Sequence, residues 1–412
     1  VADAVSFDSQ LVTEDIDISA FDEPAATVSV ELSDLGLTHA PRQNLMAAVG
    51  TYSGDAMSGR GKDKARLVAQ GGGNEGSEKA VALALKWLAN HQFPDGSWSF
   101  NHAACPKCRG ECRNPGSLGN ARNAATAMAL LPFLGAGQTH NAGIYKAQVK
   151  NGLAYLIANM KVDPQLGGSL AEFEAGGHMY SHGLASIALC EAYAMTRDKG
   201  LQAPAQQAVK YICSAQDPVG GGWRYKPRQA GDTSVVGWQV MALKSGHMAY
   251  LQIPPLTIQK AYKYLDTVQA NNGANYGYAT PGTGQATTAI GLLCRMYFGW
   301  DKEHPALKRG VEWISGQGPS PDNAYYNYYA TQVMRHYEGE LWEKWNAVMR
   351  DQLIRSQSTE GHQQGSWPAS GGAHEKGGRL YETAMATMVL EVYYRHLPIY
   401  RKESTQEKFP LD

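Results

Sequence analysis

Trp87-Leu88-Ala89-Asn90-His91-Gln92-Phe93-Pro94-Asp95-Gly96-Ser97-Trp98 decides the reading of this chain. A helix runs out into a glutamine, Pro-Asp-Gly turns the backbone, and a tryptophan closes the turn. Tyr211-Ile212 with Gln216 and Gly221-Gly222-Trp223 is a second clear copy, and Leu353 with Gln357 and Gly365-Ser366-Trp367 a third. Fainter copies stand at Tyr155-Leu156 with Gly168, at Tyr264-Leu265 with Gln269 and Gly277-Tyr278, and at Trp313-Ile314 with Gln317. One such stretch is a weak signal. A series spaced by roughly 40 to 70 residues marks a repeat whose unit is a helical hairpin.

Working outward, Ser77 is the expected N-cap of the first helix. Outer helices are expected near 78–91, 146–160, 204–215, 257–270, 305–316 and 341–356. Each is followed by a more apolar, alanine-rich inner helix, near 121–134, 180–195, 233–247, 285–298, 325–337 and 380–395. Small residues dominate the second set, as helices packed on both sides require. The expected fold is all-α, an α/α toroid of six hairpins with an inner and an outer ring. All the Gly-rich turns then fall at one end, where the inner helices begin. Their unpaired N–H groups favour acceptors and negative charge, so the functional site is expected at that mouth.

The chain has 412 residues, 43% hydrophobic and 18% charged, enough to bury a large core. Its formal net charge is −1 and no basic stripe interleaves with aromatics, which argues against nucleic acid as a partner. No apolar run reaches the length of a membrane span. The absence of an initiator Met weakly favours an extracytoplasmic or membrane-associated location.

Residues 1–76 read as an acidic arm and a Gly-rich hinge, 77–400 as the toroid and 401–412 as a tail. Before Arg42 there are nine carboxylates and no Lys or Arg, so the arm repels itself and is expected on the toroid surface or on a partner chain. Ala26–Leu32 alternates as a short strand would, and Phe7, Leu11, Ile16, Ile18 and Phe21 could anchor the arm. Ser58–Arg66 and Gly71–Gly76 look like the hinge.

The repeat resembles the QW repeat of the squalene-hopene cyclase, oxidosqualene cyclase and protein prenyltransferase β-subunit superfamily, over residues 78–395. The resemblance implies a toroid binding an isoprenoid-like ligand in a central cavity. The cyclases' Asp-x-Asp-Asp motif is missing, and the nearest stretch is Gly231-Asp232-Thr233-Ser234. Asp232-Thr-Ser234-Val-Val-Gly-Trp238-Gln239 resembles the prenyltransferase stretch that supplies two zinc ligands, and Tyr381-Glu382-Thr383 resembles the stretch that supplies a third. With Ser234 where that family has Cys and Glu382 where it has His, the set is oxygen-only and unsuited to a zinc-bound thiolate.

What the resemblance implies instead is a pair of carboxylates, Asp232 and Glu382, across the mouth. Such a pair can act as general acid and base. Equally, Asp232 can cap its helix and Glu382 pair with Arg379. His182 is a further catalytic candidate. His178 with His182 forms an i, i+4 pair only if the helix includes both, and lining a polar cavity is the alternative. Tyr180, Tyr325, Tyr329, Tyr381 and Trp238 are candidate pocket aromatics, while Arg224, Tyr225 and Arg379 could orient an anionic ligand.

The most compact chemical motif is His102-Ala-Ala-Cys105-Pro-Lys-Cys108-Arg-Gly-Glu-Cys112. The expected ligands of one structural zinc are Cys105, Cys108, Cys112 and His102, with a local disulfide as the alternative. Cys190, Cys213 and Cys294 read as core. Two functional classes follow for the whole chain. One is an enzyme in the cavity, acting on an isoprenoid-like substrate or, with paired carboxylates, on a glycan. The other is a non-catalytic binding or scaffold module of the cell envelope.

Overall fold

A computed structural model of the chain describes residues 57–61, 63–369 and 376–400. The acidic run, its strand and its anchors lie outside the described residues, as does the tail. After a short helix α1 (Lys64–Gly71), the outer helices are α2 (Glu75–Asn90), α4 (Lys146–Ala158), α6 (Lys199–Ala215), α8 (Pro255–Val268), α10 (Pro305–Gln317) and α12 (Glu340–Ser356). The inner helices are α3 (Arg122–Gly135), α5 (His178–Thr196), α7 (Thr233–Met248), α9 (Gln285–Tyr297), α11 (Ala324–Tyr337) and α13 (Gly378–Leu390), and α14 (Val392–Arg395) follows. Each inner helix packs on the next and α13 packs on α3, so the ring is closed: the fold is an α/α toroid. Among the described residues, sheet is confined to two small antiparallel pairs in the turns, β1 (Lys161–Asp163) with β2 (Gly167–Ser169) and β3 (Gln269–Ala270) with β4 (Asn275–Tyr276).

Composition explains which helix goes where. Every residue of α3 except Arg122 is buried, as a helix with neighbours all round demands. The outer helix α6 buries only a stripe, including Leu201, Ala205, Ala208, Ile212 and Ala215. Ser77 is not the cap of α2: Asn74 takes that place, its side chain accepting from the Ser77 N–H while Ser77 Oγ accepts from the Asn74 N–H. That reciprocal box satisfies two donors at once, which a lone Ser cap cannot.

The glutamines and tryptophans of the repeat have one geometry in three places. Gln92 Nε2 donates to the carbonyls of Gly96 and Gln148, Gln216 to Gly221 and Thr257, and Gln357 to Gly365 and Ala80, all at 2.8–2.9 Å. Each thus ties its own turn to the next outer helix. The indoles of Trp98, Trp223 and Trp367 turn back to donate to Leu88, Ile212 and Leu353. Gly96, Gly221 and Gly365 all have positive φ, and a Cβ on any of them would run into the backbone carbonyl of Asn151, Lys260 or Leu83. Gln357→Ala should cost about 1–3 kcal/mol, because two buried carbonyls lose their donor. Urea denaturation measures it, and an unchanged midpoint would count against this bridging role.

The far end of the barrel is closed by the segment that the sequence suggests is a hinge. Arg60 and Lys64 are buried there, because the last turns of the inner helices offer carboxylates and carbonyls that need cations. Arg60 Nη1 donates to Glu191 at 2.8 Å and to the Leu134 carbonyl, and Arg60 Nε to the carbonyl of Arg395. Arg395 pairs with the same Glu191 at 3.1 Å and with Glu391 at 3.1 Å. Against the penalty of burial, the Arg395 and Arg60 guanidiniums hold Glu191 below the ordinary carboxylate range. Burial pushes Glu391 up to about 8 and Lys64 down to about 8. No helix among the described residues is long and apolar enough to cross a membrane.

Candidate metal centre and barrel mouth

At the end of α2, His91 occupies the C-cap, where its Nδ1–H reaches the Trp87 carbonyl at 2.7 Å. The bond fixes the tautomer and leaves Nε2 with its lone pair facing Cys112 Sγ, 3.4 Å away. From the sixth turn, His362 brings Nδ1 to within 3.1 Å of the same sulfur. His91, Cys108, Cys112 and His362 present ligand atoms within 4.8 Å of one another, three of the four residues buried and His362 half-buried. Tetrahedral zinc with two sulfurs and two nitrogens needs separations of about 3.3–3.8 Å, so small rotations close the set around an ion. Burial keeps the His91 ring neutral, its pKa lowered to about 3, and pushes the Cys112 thiol up to about 11. A neutral imidazole is the ligand form, whereas a dry thiol calls for a cation before it ionises.

Two of the four expected ligands fall within this cluster and two lie outside it. Cys108 and Cys112 belong to the cluster, while Cys105 Sγ turns away toward the Gln92 carbonyl at 3.6 Å. His102 sets its ring edge-on to Trp87 and His91, 5.4 and 5.7 Å between centroids, and lies outside the quartet. The reason is the short Cys-Pro-Lys-Cys turn. Its Cys108 N–H bonds the Cys105 carbonyl, and the Cys105 sulfur lies against the Asn90 and Gln92 carbonyls while the Cys108 sulfur joins the quartet. All six cysteines are free thiols.

Arg379 stands beside this centre. It donates to the Arg113 carbonyl and Asn114 Oδ1 of the first turn, and to Ser358 Oγ, Ser366 Oγ and Gln363 Oε1 of the sixth. Its donors staple the seam of the ring and leave Glu382 to another site. That carboxylate lines a cleft of about 160 Å³ between α11, α12 and α13, with Asn327, Leu353, Met385 and Val389.

The middle of the mouth is filled. Trp238 stacks on Tyr328 at 5.5 Å and meets Tyr329 and Tyr325 at 5.5 and 6.1 Å. Tyr325 OH crosses the ring to donate to the Ser234 carbonyl, and Tyr180 OH lies 2.5 Å from Ser234 Oγ. Tyr381 is half-buried at the start of α13, and burial raises its pKa well above that of an ordinary phenol. Asp232 is the N-cap of α7. Its Oδ1 accepts from the Val235 N–H and from Ser234 Oγ, while its buried Oδ2 accepts no hydrogen bond from the described residues and has Arg224 Nε at 3.8 Å. Asp232 and Glu382 sit on α7 and α13, with the tyrosines of α5 and α11 gathered around Ser234, and Asp232 does not line the cleft of Glu382.

The two histidines of α5 do not converge. His178 opens the helix with φ of +50° and packs its ring 5.5 Å from Tyr225. His182 is fully buried, accepting the Leu170 N–H at Nδ1 and donating from Nε2 to the Ala208 carbonyl, both at 3.1 Å. Burial takes its pKa down to about 4.

The sequence matches no known family model and no curated protein. Its structure is similar to that of the type II terpene cyclase MstE from Scytonema, with TM-score 0.51 and 14% identity over 77% of this chain and 97% of that one. It is similar also to the GH76A α-1,6-mannanase from Salegentibacter sp. HEL1_6, with TM-score 0.51 and 9% identity over 76% of this chain and 98% of that one. An inactive variant of that mannanase in complex with α-1,6-mannotriose matches with TM-score 0.51 and 8% identity over 77% and 98% of the two chains. At such identities the likeness is one of fold: this chain shares the α/α toroid of a terpene cyclase and of a glycoside hydrolase.

Proposed function

We propose that this protein is a toroidal binding module that takes a small ligand at its mouth, around Arg224 and Asp232, and that a structural zinc locks the seam beside it. The observation that carries the first part is the contrast between the filled ring centre and the Arg224–Asp232 pair at its rim. At the ring centre Trp238, Tyr325, Tyr328 and Tyr329 pack against one another, and the proton-donating Asp-x-Asp-Asp motif is missing too. The rim keeps a buried carboxylate oxygen with no hydrogen bond among the described residues, next to a half-exposed arginine and half-exposed tyrosines. In this reading Asp232 orients Arg224, and Tyr180, Tyr225, Tyr325 and Tyr381 shape the rim. A catalytic pairing of Asp232 with Glu382 is the rival reading, and non-catalytic scaffolding without any ligand is the other.

For the metal, two thiolates and two imidazoles suit zinc and neutralise it, and four protein ligands leave no open position. His91, Cys108, Cys112 and His362 would hold it, and its chemistry there is structural: it cross-links two turns and ionises both thiols.

The test of the mouth is Asp232→Asn. Asparagine keeps the cap, so the melting temperature should hold while ligand binding is lost. Asp232→Ala removes the cap and should cost about 0.5–2 kcal/mol. Toroids of this fold are known in complex with α-1,6-mannotriose and with geranylgeranyl dihydroxybenzoate, so oligosaccharides and prenylated aromatics are the first classes to titrate. A ligand that binds the Asn variant as tightly as the parent would reduce Asp232 to a cap and put the scaffold reading ahead. Turnover lost in both Asp232→Asn and Glu382→Gln would favour the paired-carboxylate enzyme.

A further inference from the structure

Resting on that reading of the mouth, we infer that its ligand is a neutral saccharide, stacked on the wall formed by Tyr225 and Tyr278 and hydrogen-bonded by Arg224. The two tyrosines come from the third and fourth turns and touch through their hydroxyls at 2.5 Å, which joins them into one surface. They are 36% and 40% exposed. Arg224 lies 5.7 Å from each ring centroid, so its guanidinium sits between the two ring systems. His178 and Tyr180 continue the wall, 5.5 and 6.1 Å from Tyr225.

The donors of Arg224 are what select the ligand. Its guanidinium makes no hydrogen bond among the described residues, and its charge is met from behind by Asp232 Oδ2 at 3.8 Å. Asp232 cannot swing away, because its other oxygen holds the Val235 N–H at 3.0 Å and the Ser234 hydroxyl at 2.7 Å. The pair is therefore electrically neutral, fixed in place, and supplied with N–H donors that no described residue takes, beside flat aromatic faces. A phosphate or carboxylate gains most from a cation that is not already compensated. An isoprenoid needs a deep apolar slot, whereas Arg224, Tyr225 and Tyr278 reach the surface. A sugar ring needs an aromatic face for its C–H bonds and fixed donors for vicinal hydroxyls, and both are present here. The hydroxyls of Tyr225 and Tyr278 add acceptors that the arginine lacks.

The experiment is calorimetric titration of the intact protein with the neutral trisaccharides α-1,6-mannotriose, maltotriose, cellotriose and chitotriose, and with pyrophosphate and geranylgeranyl diphosphate as charged probes. At least one neutral trisaccharide should bind, and Tyr225→Ala and Arg224→Gln should each weaken it about tenfold or more. Both side chains reach the surface, and circular dichroism of the variants confirms that the fold is intact. Saccharide binding that neither variant weakens would overturn the assignment. Binding of the charged probes alone, lost in Arg224→Gln, would overturn the saccharide while leaving the mouth as the site. If no probe binds, the saccharide and the mouth reading both fall.

Discussion

Dialysis against a strong chelator should release one zinc per chain and lower the melting temperature by many degrees. Structural zinc sites contribute free energies on the order of 10 kcal/mol, and here the ion joins residues separated by 250 positions, Cys112 and His362. Single substitutions separate the observed quartet from the motif as spelled. His91→Gln and His362→Gln should each abolish stoichiometric metal, whereas His102→Gln and Cys105→Ser should retain it. Metal content of untagged protein is the readout, with unfolding followed in parallel. A disulfide between Cys108 and Cys112 in metal-free protein, at unchanged stability, would dispose of the centre.

The second large effect is expected at Glu191. Its two oxygens face Arg60 and Arg395, and all three side chains are at most 2% exposed. Replacing it by Ala leaves two buried guanidiniums facing each other, and breaking such a pair from one side costs about 3–5 kcal/mol. Glu191→Gln keeps the shape but loses the charge, and should fall short of that value. Removing residues 1–60 takes away Arg60 and should also destabilise the toroid, contrary to the hinge that the Gly-rich spelling suggests. Denaturant midpoints decide, and a loss under about 1 kcal/mol for Glu191→Ala would mean that water enters and solvates the arginines.

Most of the fold was legible because the Gln-turn-Trp stretch reports local geometry. A glutamine that must bridge two carbonyls, a glycine pressed against the next helix and an indole folded back on its own helix each leave a residue-type signature. The order of outer and inner helices followed from how much of each helix is apolar. The His/Cys cluster was only half legible. Cys108 and Cys112 stood out, but their partners are His91, hidden inside the repeat motif itself, and His362, which is near in space only because the sixth turn abuts the first. Closure of the ring was expected, and reading the sixth turn against the first would have found the second histidine. The plug at the far end was illegible for another reason. Ser-Gly-Arg-Gly looks flexible by composition, and its order comes from the charges of helices more than 70 residues away.

Ring closure also dictates an order of assembly. Gln357 reaches the Ala80 carbonyl across 277 residues, so during synthesis α2 has no partner on one flank until the last hairpin arrives. Five hairpins can dock on their predecessors as they emerge, each through contacts close in sequence. The sixth must dock on both the fifth and the first. Until then the flank of α2 that carries the Ala80 and Leu83 carbonyls faces solvent, and the nascent protein is an open, sticky crescent. The turns that carry His91, Cys108, Cys112 and His362 meet only at that final step, so uptake of the proposed zinc could proceed no faster than closure, and a zinc-starved cell would accumulate crescents rather than unfolded chains.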